Sequence, residues 1–75
     1  MSGQAFIAAC EVTLNGESLS VPAGCTLEAL VRQQGLQPHE VATALNGEFV
    51  PRALRATRLL TPGDAVTCFR PIVGG

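Results

Sequence analysis

Two Asn-Gly pairs, Asn15-Gly16 and Asn46-Gly47, constrain the fold of this 75-residue chain more than any other feature. Asparagine and glycine both tolerate positive φ, which the two-residue turn between antiparallel strands requires. Each pair is flanked by strand-like residues, so each predicts a β-hairpin. Alternation in the first strand starts at Phe6 and is clearest over residues 11–14. One face of this first hairpin carries Val12, Leu14, Leu19 and Val21.

The second hairpin is expected to join a central strand, residues 41–45, to a short strand, residues 48–50. Residues 52–60 fit either a helical turn or an irregular crossing segment. Pro62 and Gly63 then suit a tight turn over residues 61–64, and a last strand is predicted from Ala65 to about Phe69.

One helix is predicted between the two hairpins. Thr26 can cap its N-terminus, and Gly35 suits the left-handed position after its last turn. The helix should span about residues 26–34. Its apolar stripe at helical spacing, which we expect to pack in the core, consists of Leu27, Leu30 and Val31.

The elements follow the order strand, strand, helix, strand, short strand, crossing segment, strand. The long crossover allows the last strand to lie beside the first and parallel to it. This order predicts an α+β fold of the β-grasp, or ubiquitin-like, type: a mixed sheet of four to five strands with one main helix. Residues 10–70 would form the domain, residues 1–9 an N-terminal extension or the start of the first strand, and residues 71–75 a flexible tail.

Composition narrows the possible functions. Hydrophobic residues make up 47% of the chain and charged residues 15%, which suits a packed core rather than disorder. The net charge of −1 argues against nucleic-acid binding, and no segment has the run of apolar residues that a membrane span needs. With one histidine, His39, no metal-spaced Cys/His cluster and no Gly-rich phosphate loop, we expect neither a metal site nor a stand-alone enzyme.

Three cysteines, Cys10, Cys25 and Cys68, fit neither a disulfide framework nor a zinc site. We expect all three to be buried small hydrophobes in a protein of the reducing cytoplasm. The N-terminal residues 1–4 lack the basic start of a secretory signal, which agrees with that location.

The last two residues, Gly74 and Gly75, end the chain in an α-carboxylate with no side chain nearby. Glycine tolerates close backbone approach, so such an end can enter a narrow channel in another protein and be activated there. The carboxylate of Gly75 is therefore the candidate reactive group.

Three segments together resemble the ThiS family of sulfur carriers in thiamin thiazole synthesis. They are Leu45–Arg52, Leu60–Val66 and Val73–Gly75, and the resemblance covers about residues 10–75. Arg55 departs from it, since many relatives carry a bulky apolar or aromatic residue in that stretch. The ending, residues 69–75, is also similar to that of the molybdopterin-synthase small subunit, MoaD, but the short first hairpin and the length favour the ThiS type.

The resemblance implies a reaction cycle for Gly75. A ThiF- or MoeB-like adenylyltransferase would adenylate its carboxylate with ATP, and sulfur from a cysteine desulfurase would replace AMP to give a thiocarboxylate. A ThiG-like thiazole synthase would then receive the sulfur. The carrier itself would bind no cofactor, because ATP and sulfur come through the partner enzymes.

A docking surface for these partners is expected near the reactive end. If Val66 faces the helix, Phe69 faces outward, because neighbouring strand residues point to opposite faces. The expected apolar contacts are Phe69, Phe49 and, on the tail, Ile72 and Val73, with Arg52 and Arg70 as candidates for charge pairs.

Two other readings stay open on the sequence alone. The same sulfur chemistry could serve molybdopterin, cysteine or a thio-containing metabolite. Alternatively, the chain could be a ubiquitin-like binding module whose Gly-Gly ending has no chemical role.

Overall fold

The structure, a computed structural model, describes residues 9–70. The tail and residues 1–8 therefore lie outside the described residues. The strands are β1 (Ala9–Leu14), β2 (Glu17–Pro22), β3 (Ala42–Leu45), β4 (Glu48–Val50) and β5 (Ala65–Phe69). The helix α1 spans Leu27–Gln33, and two 3₁₀ helices span Pro38–Glu40 and Arg52–Thr57. The segment that the sequence left ambiguous thus begins as a 3₁₀ helix.

Both Asn-Gly pairs form the predicted hairpin turns. The φ angles are 52° at Asn15 and 51° at Asn46, and each following glycine is also in the positive region. In the first hairpin Val12 pairs with Leu19 and Cys10 with Val21, so the predicted apolar face is confirmed. This face packs toward the helix, because Val12 and Val21 are both buried in the core.

The helix begins and ends where its capping residues predict. The Thr26 side chain accepts a hydrogen bond from the Ala29 backbone N–H at 3.1 Å. At the other end, the Gly35 N–H donates to the Arg32 carbonyl, and the Leu36 N–H donates to the Val31 carbonyl. These two bonds form a Schellman motif, which satisfies carbonyls that the last turn leaves open.

The five strands form one mixed sheet in the order β2-β1-β5-β3-β4. The last strand, β5, lies in the middle, parallel to β1 and antiparallel to β3. The predicted β-grasp fold is therefore confirmed. The hydrophobic core lies between one face of this sheet and α1, whose residues Leu27 and Leu30 are fully buried.

The expectation that all three cysteines are buried was wrong for two of them. Cys10 is buried in the core, but Cys25 and Cys68 are partly exposed. Cys25 lies just before α1, and Cys68 lies near the end of β5, so both are at the margin of the core, where packing is thinner. Partial burial raises the pKa of both thiols.

A hydrogen-bond network around Asp64 connects the turn before β5 to the second hairpin. The Asp64 carboxylate accepts from the Asn46 side-chain amide at 3.0 Å and from the Thr61 backbone N–H at 2.8 Å. The Asn46 side chain in turn accepts from the Ala65 N–H at 2.8 Å. The bond from Asn46, followed by that from Thr61, holds the pKa of Asp64 below its usual value.

Replacing Asp64 with Asn should lower the free energy of unfolding near neutral pH by about 1–3 kcal/mol, because one of the two accepting oxygens is replaced by an NH2 group that cannot accept. The folded pKa of Asp64 lies below the unfolded one. Its stabilisation is therefore complete above the unfolded pKa, and is lost as the pH falls through the folded pKa. Urea unfolding of both proteins at about pH 7 and about pH 3 measures this. If the two proteins differed in stability as much at about pH 3 as at about pH 7, the stabilisation would not come from the ionised Asp64 carboxylate.

Candidate functional site

At one end of the sheet the chain leaves β5 for its tail. The strand β4 also ends there, and β3 begins there. Ala42, the first residue of β3, pairs with Phe69, the last residue of β5. Val50, the last residue of β4, pairs with Thr43 beside it. We call this end of the sheet, marked by Ala42, Val50 and Phe69, the tail edge. Arg70 is the last described residue there, and the predicted site residues Ile72, Val73, Gly74 and Gly75 lie outside the described residues.

The outer face of the sheet, away from α1, is mainly apolar along β4, β3 and the end of β5, where Thr67 is its exposed polar member. Phe49 is 64% exposed and Phe69 is 46% exposed, so Phe69 points outward as predicted. Phe49 pairs with Ala44, and Phe69 pairs with Ala42. All four side chains therefore share one face. We call these residues, Phe49, Ala44, Ala42 and Phe69, the aromatic face.

The two rings of the aromatic face are well separated. Phe49 and Phe69 lie two strands apart and one row apart, which puts their Cα atoms about 12 Å from each other. Only Ala42 and Ala44 rise between them on β3, so the surface between the rings is shallow and apolar. The two rings therefore flank a shallow strip of small residues on β3.

The same face of the sheet is polar along the other two strands. Thr13 on β1 pairs with Ser18 on β2, and Glu11 pairs with Ser20. Thr13 also pairs with Ala65 on β5, which places this polar row on the aromatic face's side of the sheet. The apolar surface is thus confined to the half of the sheet that leads to the tail. Confinement of this kind is typical of a docking surface rather than of scattered exposed side chains.

Charged side chains flank the tail edge. Arg70 lies 4.0 Å from the Glu40 carboxylate, and both side chains are largely exposed. An exposed pair of this kind contributes little to stability, so the Arg70 guanidinium can exchange its partner at small cost. Arg52 is exposed just beyond the end of β4. Since β4 and β5 flank β3 on opposite sides, Arg52 and Arg70 lie on opposite sides of the start of β3. The aromatic face therefore has a guanidinium near each side at its tail edge.

One buried residue of this region was not predicted. Arg55 is 2% exposed, and its guanidinium donates to the Pro38 carbonyl in the first 3₁₀ helix, to the Val41 carbonyl just after that helix and to the Thr43 hydroxyl on β3. The sequence carried one signal for it, the arginine in a stretch where an apolar residue was expected. That signal could not show that Arg55 would be buried, because burial depends on the Pro38 and Val41 carbonyls, which only the folded chain brings to the guanidinium.

His39 is exposed, and its nearest charged partner is the neighbouring Glu40 at 3.9 Å. No group of three or more potential metal ligands occurs among residues 9–70. Within the same part of the chain, no helix is long and apolar enough to cross a membrane.

Comparison with known proteins gives consistent matches along the chain. The sulfur carrier protein ThiS of Escherichia coli is 29% identical over 65 residues, which cover 87% of this chain and 98% of that protein. The crystal structure of the thiamine biosynthesis protein ThiS from Geobacter metallireducens superimposes with a TM-score of 0.78 at 26% identity, covering 87% of this chain and 99% of the other. A designed protein based on human erythrocytic ubiquitin matches with a TM-score of 0.52 and 27% identity, covering 89% of this chain and 95% of the design.

The family model of ThiS matches residues 7–75, which include both hairpins, the helix, the aromatic face and the final Gly-Gly. This match extends over nearly the whole chain, and the β-grasp topology and the solved ThiS structure agree with it. The chain therefore belongs to the ThiS family.

Proposed function

We propose that this protein is a sulfur carrier that holds sulfur as a thiocarboxylate on Gly75 and delivers it to thiamin thiazole synthesis. The observation that carries the proposal is the family match, which continues through the Gly-Gly ending. The Escherichia coli relative is named a sulfur carrier protein, and the Geobacter structure is titled a thiamine biosynthesis protein. The position of the aromatic face beside the tail edge adds a structural reason.

The proposed chemistry takes place on the carboxylate in three steps. An oxygen of the Gly75 carboxylate attacks the α-phosphorus of ATP, and pyrophosphate leaves. Sulfide attacks the acyl adenylate and displaces AMP, which gives the thiocarboxylate directly. A cysteine-desulfurase persulfide displaces AMP to give an acyl disulfide instead, and a thiol then cleaves its S–S bond, releasing the thiocarboxylate and forming a disulfide with the desulfurase cysteine. The resulting thiocarboxylate gives its sulfur to the thiazole precursor, and the carboxylate is regenerated.

The carrier and its partners divide the work. A ThiF- or MoeB-like adenylyltransferase would bind ATP, and a ThiG-like synthase would accept the sulfur, so the carrier acts as their co-substrate and binds no cofactor itself. Phe49 and Phe69 would anchor the carrier, and Ile72 and Val73 would enter the partner's channel ahead of Gly74. Arg52 and Arg70 would pair with acidic groups at the rim of that channel. Such a cycle belongs in the cytoplasm, where free thiols such as those of this chain stay reduced.

Intact mass spectrometry tests the chemistry. Incubation with an adenylating enzyme, ATP and a sulfur source should add about 16 Da, because sulfur replaces one oxygen of the terminal carboxylate. A chain lacking Gly75 should remain unmodified, while omission of ATP provides the matched control for the intact chain. An unchanged mass for the intact chain would favour a ubiquitin-like binding module instead, and rescue of a thiamin auxotroph would separate thiazole synthesis from other sulfur pathways.

Replacing Phe69 with Ala should weaken binding to the adenylating enzyme by more than about 1 kcal/mol, or roughly fivefold in Kd, because an exposed aromatic anchor is lost. Leu54→Ala is the matched control, since Leu54 is 47% exposed but lies on the second 3₁₀ helix, outside the aromatic face. Calorimetric titration gives both Kd values, and thermal unfolding shows that both variants fold. Equal affinity of the Phe69 variant and the parent protein would remove the aromatic face from the interface.

A further inference from the structure

Arg55 is the most deeply buried charged side chain among residues 9–70. Within that part of the chain, its guanidinium makes no salt bridge with a carboxylate. A buried charge without a counter-ion is costly unless its hydrogen-bonding groups are satisfied. What satisfies Arg55 therefore shows which parts of the structure its burial holds together.

Three hydrogen bonds engage all three nitrogen atoms of the guanidinium and three of its five N–H groups. Its Nε donates to the Thr43 hydroxyl at 3.0 Å, its Nη1 to the Pro38 carbonyl at 2.8 Å and its Nη2 to the Val41 carbonyl at 2.6 Å. The Thr43 hydroxyl in turn donates to the Val50 carbonyl at 3.0 Å. Arg55 thus connects the second 3₁₀ helix to β3, to β4 and to both ends of the segment that leads into β3.

These acceptors lie directly beside the tail edge. Val41 precedes Ala42, which pairs with Phe69 in the last row of the sheet. The Asn46 N–H donates to the Ala65 carbonyl, and hydrogen-bonded pairs alternate along an antiparallel ladder. Hydrogen-bonded pairs recur every second residue, and Ala42 and Phe69 each lie four residues from the Asn46–Ala65 pair. The Ala42–Phe69 pair is therefore also a hydrogen-bonded pair. Glu40, which faces Arg70 across the same edge, lies between the Pro38 and Val41 carbonyls in sequence.

We propose that Arg55 is a positioning residue for the tail. By fixing the Pro38 and Val41 carbonyls, it holds the segment against which Phe69 and Arg70 lie, and so fixes the point at which the chain leaves the sheet. Among residues 9–70, its guanidinium bonds reach no residue of the aromatic face. The effect of Arg55 on delivery of the Gly75 carboxylate rests on the proposed function. Its effect on the placement of residues 38–41 does not.

Hydrogen exchange of the free protein tests the placement alone. Arg55→Met keeps the length of the side chain and removes all three bonds. It should speed exchange of the Ala42 and Phe69 amides at least about tenfold relative to the Val12 amide, because the tail edge opens separately from the rest of the sheet. Val21→Ala, a core truncation on β2, is the matched control and should not produce this pattern. A uniform increase at all amides in the Arg55 variant would overturn the proposal. If Arg55→Met does not fold, Arg55→Lys, which keeps the charge and at most one of the bonds, should show the same local pattern.

Adenylation kinetics then test the consequence, at a temperature where every variant is folded. The kcat of Arg55→Met should fall about tenfold, because a misdirected tail spends less time in reacting geometry, while KM should rise less than in Phe69→Ala. Val21→Ala should retain the parent kcat. An unchanged kcat for Arg55→Met would overturn the positioning role. If the parent protein itself is not adenylated, the proposed function fails, and the exchange pattern still decides whether Arg55 holds the tail edge.

Discussion

The placement of β5 in the middle of the sheet is the constraint on which the rest of this structure depends. A middle strand must satisfy its backbone groups on both sides, and β1 runs beside β5 for only two paired residues. The turn asparagines supply further partners: Asn15 accepts from the Cys68 N–H at 2.9 Å, and Asn46 accepts from the Ala65 N–H at 2.8 Å. The residues that form the two hairpin turns therefore also fasten the last strand between the hairpins.

This arrangement decides where the chain can meet a partner. Because β5 is the middle strand, the chain reaches the tail edge from the centre of the sheet, beside β3. The small residues Ala42 and Ala44 leave the outer face shallow there, and Phe49 and Phe69 add exposed aromatic surface. The apolar surface and the exit of the chain therefore lie together at one end of the sheet, which is the arrangement that the proposed carrier function requires.

Arg55 shows how a small domain can use a buried charge at the margin of its core. A chain of this size buries only about 60% of its unfolded surface, so there is little apolar material to fix every connecting segment. Here the carbonyls at the two ends of one short connecting segment, Pro38 and Val41, are held by one guanidinium instead of by additional apolar packing. Hydrogen bonds to two backbone carbonyls and one hydroxyl offset the cost of burying the charge. Because these bonds form only when the acceptors are correctly placed, they favour one arrangement of the connecting segment.

Local signals in the sequence determined the hairpins, the helix and the element order. Asn-Gly turns, the Thr26 cap and the Gly35 termination act through backbone conformations that depend on neighbouring residues alone, so they could be predicted and were found. The outward direction of Phe69 followed in the same way from the alternation of side chains along a strand. The tertiary structure alone decided which side chains meet across the fold: that Ala42 and Ala44 lie between Phe49 and Phe69, that two of the three cysteines reach solvent, and that Arg55 is buried among carbonyls. Those outcomes depend on contacts between residues far apart in the chain, which no local pattern encodes.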